Sequence, residues 1–133
     1  MQPEAFTKHD SRTLLVDADT AHGGQLVEQL IQAGFKTDQA LSWGAAHAAL
    51  SANYYHSCIL VAALDQLTDR ERLDELRQAA PRVWMIVLSD YASEEAQRLA
   101  RHLGIDALLS APFSMQDLTS RLAAFAQRAR PIY

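Results

Sequence analysis

Leu14-Leu15-Val16-Asp17-Ala18-Asp19 is a short, uniformly apolar run that ends in acid. Cys58-Ile59-Leu60-Val61-Ala62-Ala63 is a second apolar run, and it ends in methyl groups. Short runs without polar alternation are the pattern of strands buried on both faces of a parallel sheet. Two such strands open at their C-terminal ends on one crevice, where open α/β sheets place their chemistry. The first run brings carboxylates to that crevice. The second brings side chains that can neither titrate nor accept a transferred group.

Outward from these runs the chain alternates between strand and helix patterns. Thr20 or Ala21 to Ala33 reads as a helix with Leu26, Val27, Leu30 and Ile31 on one stripe and Gly34 as its stop. Phe35 to Ala40 is half polar, as an edge strand would be. Ser42 caps an alanine-rich helix through Leu50, and His56 to Ala62 is the third strand. Asp69 is the expected cap of a helix to Ala80 that turns Leu73 and Leu76 inward and ends before Pro81. Val83 to Leu88 is the next buried strand. Ser93 caps a helix that starts with Glu94 and Glu95 and stops at Gly104. Ile105 to Leu109 is the fifth strand, and Ser114, with Asp117 three places on, opens a last helix with Met115, Leu118, Leu122 and Phe125 inward. Five strands alternating with five helices predict an α/β fold, a parallel sheet covered on both faces. The expected architecture is the flavodoxin-like (βα)5 three-layer sandwich with strand order 2-1-3-4-5.

A chain of 133 residues, 49% apolar and 21% charged, forms one ordinary globular domain. The formal net charge is −4, with no Lys/Arg cluster to meet nucleic acid. Arg121, Arg128 and Arg130 read as one solvated helix face. Cys58, the single cysteine, lies in an apolar run and reads as a core thiol, so no internal disulfide exists. No stretch is long and apolar enough for a membrane span, and the polar start lacks a signal-peptide core. The expected location is the cytoplasm.

The order and spacing of several motifs resemble the receiver domain of two-component response regulators. Leu14-Leu15-Val16-Asp17 is similar to that family's first strand, Gly34-Phe35 with Ala40 to its second-strand region, and Val87-Leu88-Ser89 to its fourth strand. Leu103-Gly104-Ile105-Asp106-Ala107 and Ala111-Pro112-Phe113-Ser114 are similar to its Gly-Ala-Asp and Lys-Pro-Phe signatures. The match sets a receiver-like domain at 12–129, after a flexible lead-in at 1–11 and before a tail or linker at 130–133. The resemblance implies an aspartate phosphoacceptor on the third strand, two acids that help hold Mg²⁺, and a lysine that meets the phosphoryl group. Mg²⁺ takes hard oxygen ligands, and metal and lysine stabilise charge on the phosphoryl.

Residue by residue, the chain departs from that set. Asp17 keeps the first acid, but the adjacent position is Ala18. The phosphoacceptor position falls on Ala62 and the lysine position on Ala111; Ser89 keeps a hydroxyl, and Leu108 stands at the aromatic switch position. The two alanines belong together. Losing only one of a buried acid and its lysine strands a charge, at a cost of about 3 to 5 kcal/mol, whereas losing both is cheaper. The expectation is a degenerate receiver with a vestigial acidic pocket of Asp17, Asp19 and Ser89. The two acids would sit solvated at its rim. No catalytic residue, metal or other cofactor is expected.

The competing acceptor is Asp65, three places past Ala62; with it, Mg²⁺ would be required. The interval from Asp17 to Ala62 matches the family's register, and Asp65 to Asp69 reads as loop and cap. The five histidines, His9, His22, His47, His56 and His102, show no metal-ligand spacing and read as surface or cap residues. Gly23-Gly24 carries neither a dinucleotide fingerprint nor a P-loop lysine, so a small-ligand or flavodoxin-like role is the remote alternative. The expected function is phosphorylation-independent protein–protein interaction, with a protein partner or an attached effector or kinase domain. A homodimer would form through the fourth helix, fifth strand and fifth helix, whose face carries Glu94, Glu95, Gln97, Arg98, Arg101, Arg121 and Gln127.

Overall fold

The computed structural model describes residues 12–17, 19–90 and 93–127. Ala18, Arg128, the lead-in and the tail lie outside the described residues. The elements are β1 (Arg12–Val16), α1 (Thr20–Gln32), β2 (Lys36–Ala40), α2 (Trp43–Ala52), β3 (Ser57–Val61), α3 (Leu67–Ala79), β4 (Trp84–Ser89), α4 (Glu94–His102), β5 (Ala107–Ser110) and α5 (Met115–Ala126). All strand pairs are parallel, and the order is β2-β1-β3-β4-β5. This is the expected flavodoxin-like sandwich.

Side-chain alternation splits the core into two layers. Leu14, Cys58, Leu60, Met85 and Val87 pack under α2, α3 and α4, against Leu50, Leu73, Leu76 and Ala100. Leu15, Ile59 and Ile86 face the other way and pack under α1 and α5, against Leu26, Leu30, Leu118 and Leu122. Of the α1 stripe, Ile31 is 53% exposed, so the inward face is Leu26 and Leu30 with Val27 beside them. Burial pushes the Cys58 thiol up to about 12, so it is neutral and unreactive in the core.

Helix ends follow the expected capping, with one correction. Ser42, Ser93 and Ser114 each accept a backbone N–H of the first turn, from Ala45, Ala96 and Asp117. Gly34 (φ 98°) and Gly104 (φ 78°) end α1 and α4 in matching motifs: Phe35 N–H donates to Leu30 O at 2.9 Å, and Ile105 N–H to Ala100 O at 2.8 Å. Asp69, however, is not a cap. The helix begins earlier, at Leu67, and the Asp69 side chain reaches back from its first turn to accept Ala63 N–H at 2.8 Å. β5 starts two residues later than its apolar run. Asp106 N–H donates to Met85 O and its carboxylate accepts Met85 N–H, both at 2.9 Å, ahead of the strand.

His56 overturns the surface reading of the histidines. It is 1% exposed, and its Nε2 lies 2.5 Å from Phe125 O, which ties the start of β3 to α5. Trp84 stacks on Phe125 beside it, with centroids 4.2 Å apart.

The two glycines of α1 differ in use. A Cβ on Gly24 meets nothing within 4 Å, whereas one on Gly23 runs into the Gln39 side chain and lies 3.1 Å from Asp17 Cβ. Gly24→Ala is therefore expected to stabilise the chain by about 0.5 to 1 kcal/mol, the helix-interior difference between the two residues. Gly23→Ala displaces Gln39 and loses that gain. Thermal melts of both variants check this; equal shifts would contradict the close approach at Gly23.

Candidate functional site

The C-terminal ends of β3 and β4, with His22 from α1, open on a cavity of about 480 Å³. Asp17 follows β1, and its N–H donates to Ala40 O at 3.1 Å and so continues the β1–β2 ladder. Its carboxylate turns inward and is 8% exposed. Oδ1 accepts Asp19 N–H at 3.0 Å, and Oδ2 lies 2.7 Å from His22 Nδ1. A carboxylate only accepts, so Nδ1 carries the proton in this contact. Gln39 Nε2 donates to Asp17 O at 3.3 Å, across the space that Gly23 leaves open.

Asp19 caps α1. Its Oδ1 accepts Ala21 N–H and His22 N–H, both at 3.1 Å. That cap brings His22, in the first turn, back over Asp17. Of the two acids expected to be solvated at the rim, Asp19 is exposed, Asp17 is 7% exposed and paired, and neither lines the cavity. The element lining the cavity on this side is His22, half exposed. Residue type alone gives His22 no distinction. The signal is its place in the first turn of a helix that starts directly after an acid-ended strand.

β3 ends at Val61, and Ala62 follows with 6% exposure, its N–H donating to Leu88 O at 3.1 Å. Val61 is in register with Leu88, so Ala62 and Ser89 lie at the same level of the sheet. Ser89 is 8% exposed, and its carbonyl accepts Ala111 N–H at 2.9 Å. Ala62, Ser89, Ala111 and Phe113 all line the cavity. The Ala111–Pro112 bond is cis. Leu108, on β5, is half-buried and packs against the core layer under α4.

Asp65 is an exposed residue of the turn between β3 and α3. It lines the cavity together with Asp69 and Asp90, and it also lines a second cleft of about 260 Å³ shared with Ser93 and Leu99. Among the described residues no lysine or arginine lines the crevice. No helix of the described residues is long and apolar enough to cross a membrane.

Comparison with solved structures shows the class of fold. The chain superposes on the receiver domain of the Francisella response regulator 1452 with a TM-score of 0.80 and 23% identity, covering 89% of this chain and 98% of that one. A CheY-like response regulator receiver domain from Methanospirillum hungatei gives a TM-score of 0.77 at 23% identity, covering 87% and 93%. A response regulator from Burkholderia pseudomallei, solved with a phosphorylated aspartic acid, a calcium ion and citrate, gives 0.74 at 23% identity, covering 88% and 69%. Neither a protein-family model nor a curated protein matches the chain. The fold is that of CheY-like receiver domains of two-component systems.

Proposed function

We propose that this chain is a receiver-like signalling module that works by protein contact, without an aspartyl phosphate and without catalysing a reaction. The observation that carries this reading is Ala62: a buried methyl group follows β3 at the level of Ser89 and lines the crevice. Nothing at that position can accept a phosphoryl group. Ala111 opposite supplies no cation to meet one.

The donor set supports a crevice without Mg²⁺. Octahedral Mg²⁺ needs converging oxygens. Both oxygens of Asp17 are engaged by Asp19 N–H and His22, and Asp65 sits out on its turn. Among the described residues, no three His, Cys, Asp or Glu side chains converge to hold a metal ion.

The contact surface of this reading is the face of α4, β5 and α5. Glu94, Glu95, Arg98, Arg101 and Arg121 are exposed there, a mixture of charges that a twofold axis can pair reciprocally. Each exposed pair adds little, typically under about 1 kcal/mol, so the face suits a reversible partner. That partner is a second copy, another protein or an attached effector or kinase domain, in the cytoplasm and not nucleic acid.

A second reading, phosphorylation of Asp65 with Mg²⁺, draws on the fact that Asp65 lines the same crevice. Incubation with acetyl phosphate and Mg²⁺, followed by intact-mass measurement, separates the two. No adduct is expected. An adduct that Asp65→Asn removes would establish the second reading.

A further inference from the structure

We infer that the crevice is a socket for a lysine or arginine side chain of a partner protein. This deepens the phosphorylation-independent reading and rests on it. The cavity has an apolar wall of Val61, Ala62, Leu88 and Phe113, and Val61 is 37% exposed although it ends a central strand. On one rim stands Asp65, in the β3–α3 turn; on another stands Asp90, just past β4. Both carboxylates are exposed and have no hydrogen-bond or ion-pair partner among the described residues. Among the described residues the only basic side chain lining the space is the His22 imidazole, and it is already turned onto Asp17.

An alkyl stem that ends in a charge matches this combination. Lysine and arginine bury their methylenes on apolar surface and keep the charged head at its edge, here between the rim carboxylates. A volume of about 480 Å³ holds one such side chain with water to spare. An anionic side chain would face Asp65, Asp69 and Asp90, with only His22, already engaged by Asp17, on the basic side. A purely apolar one would leave the carboxylates uncompensated and gain only the wall. A bare metal ion finds the oxygens spread around a rim instead of converging. Leu67, 61% exposed on the first turn of α3 just beyond Asp65, adds an apolar step on which the partner's neighbouring residue can rest. The preference for a basic side chain is a matter of charge complementarity, which sets specificity and approach more than raw affinity.

The test uses the whole chain, labelled with ¹⁵N, and capped tripeptides Ala-X-Ala with X as lysine, arginine, norleucine or glutamate. The lysine and arginine peptides are expected to shift the backbone amides of Ala62, Ala63, Asp65, Asp90 and Ala111 in a saturable way. Norleucine and glutamate peptides are expected to bind at least about fivefold more weakly, and Asp65→Asn with Asp90→Asn to weaken the lysine peptide about tenfold. Ala111→Lys places an amine of the chain's own in the socket and should abolish the shifts. Equal binding of norleucine would make the crevice a plain apolar pocket, preference for glutamate would reverse the charge argument, and no shift with any peptide would leave no socket; each of these overturns the inference. None of them bears on the phosphate experiment above, which fails or succeeds by mass alone.

Discussion

Arg77→Met is expected to lower folding stability by about 3 to 5 kcal/mol, the range for removing one partner of a buried ion pair. The guanidinium of Arg77 donates to the carbonyls of Ala80 at 3.2 Å, Pro81 at 3.4 Å, Val83 at 2.7 Å and Gly104 at 2.8 Å, and lies 3.3 Å from Asp106 Oδ2. It therefore joins the end of α3, the entry to β4 and the approach to β5. The two side chains are only 13% and 14% exposed. Methionine keeps most of the stem volume, so the loss reports the charge and its hydrogen bonds. Asp106→Asn should cost far less, about 1 kcal/mol, because an amide oxygen can still accept Met85 N–H and Arg77 keeps its carbonyls. Urea unfolding of both variants checks the pair. A loss below about 1 kcal/mol for Arg77→Met would show that these carbonyls are satisfied without it.

Arg77 also marks the limit of what the sequence discloses. Its neighbours Leu73 and Leu76 are legible as core because apolar residues at helical spacing have one physical use. A long cation in the last turn of a helix looks the same whether it is solvated or bound to carbonyls beyond the helix end and on a distant loop. The histidines fail for the same reason. His56 is buried on Phe125 O and His22 is drawn onto Asp17, yet a single imidazole carries no pattern that separates either from a surface residue. Tyr55 is a further case. Its hydroxyl donates to Asp38 at 2.8 Å while Arg12 pairs with the same carboxylate at 2.7 Å, a link between β1, β2 and the approach to β3 that exists only after the sheet forms.

The strand order and the caps stand at the other extreme. Buried strands lack alternation, serine caps precede their helices, and glycines sit where the backbone must turn left-handed; each is a local rule with a local cause. Of the crevice, Ala62, Ser89 and Ala111 are assigned through the resemblance to receiver domains, and all three line the cavity. The burial of Asp17 is not legible, because it depends on a partner whose orientation is set by the cap at Asp19.

Ala62→Asp is expected to destabilise the chain by about 2 to 4 kcal/mol at neutral pH, and Ala111→Lys in the same molecule to recover about 1 to 3 kcal/mol of that. Ala62 is 6% exposed and lines the cavity with Asp65, Asp69 and Asp90, so a new carboxylate there is partly desolvated and meets like charge. Both effects raise its folded-state pKa above the unfolded value of about 3.9. The sign follows: below that value both states are protonated and the penalty vanishes, while above it the unfolded state ionises more readily and the penalty grows with pH until the folded carboxyl also ionises. Unfolding free energies of the two single variants and the double, taken at neutral pH and near pH 3, give the coupling directly. A coupling indistinguishable from zero would mean that positions 62 and 111 do not share the crevice. A penalty that persists unchanged in acid would mean that the added side chain clashes with its surroundings. The expected pattern, large coupling at neutral pH and little in acid, identifies the two alanines as one unit: an apolar substitute for an ion pair, in which a carboxylate at 62 is tolerated only with the lysine at 111.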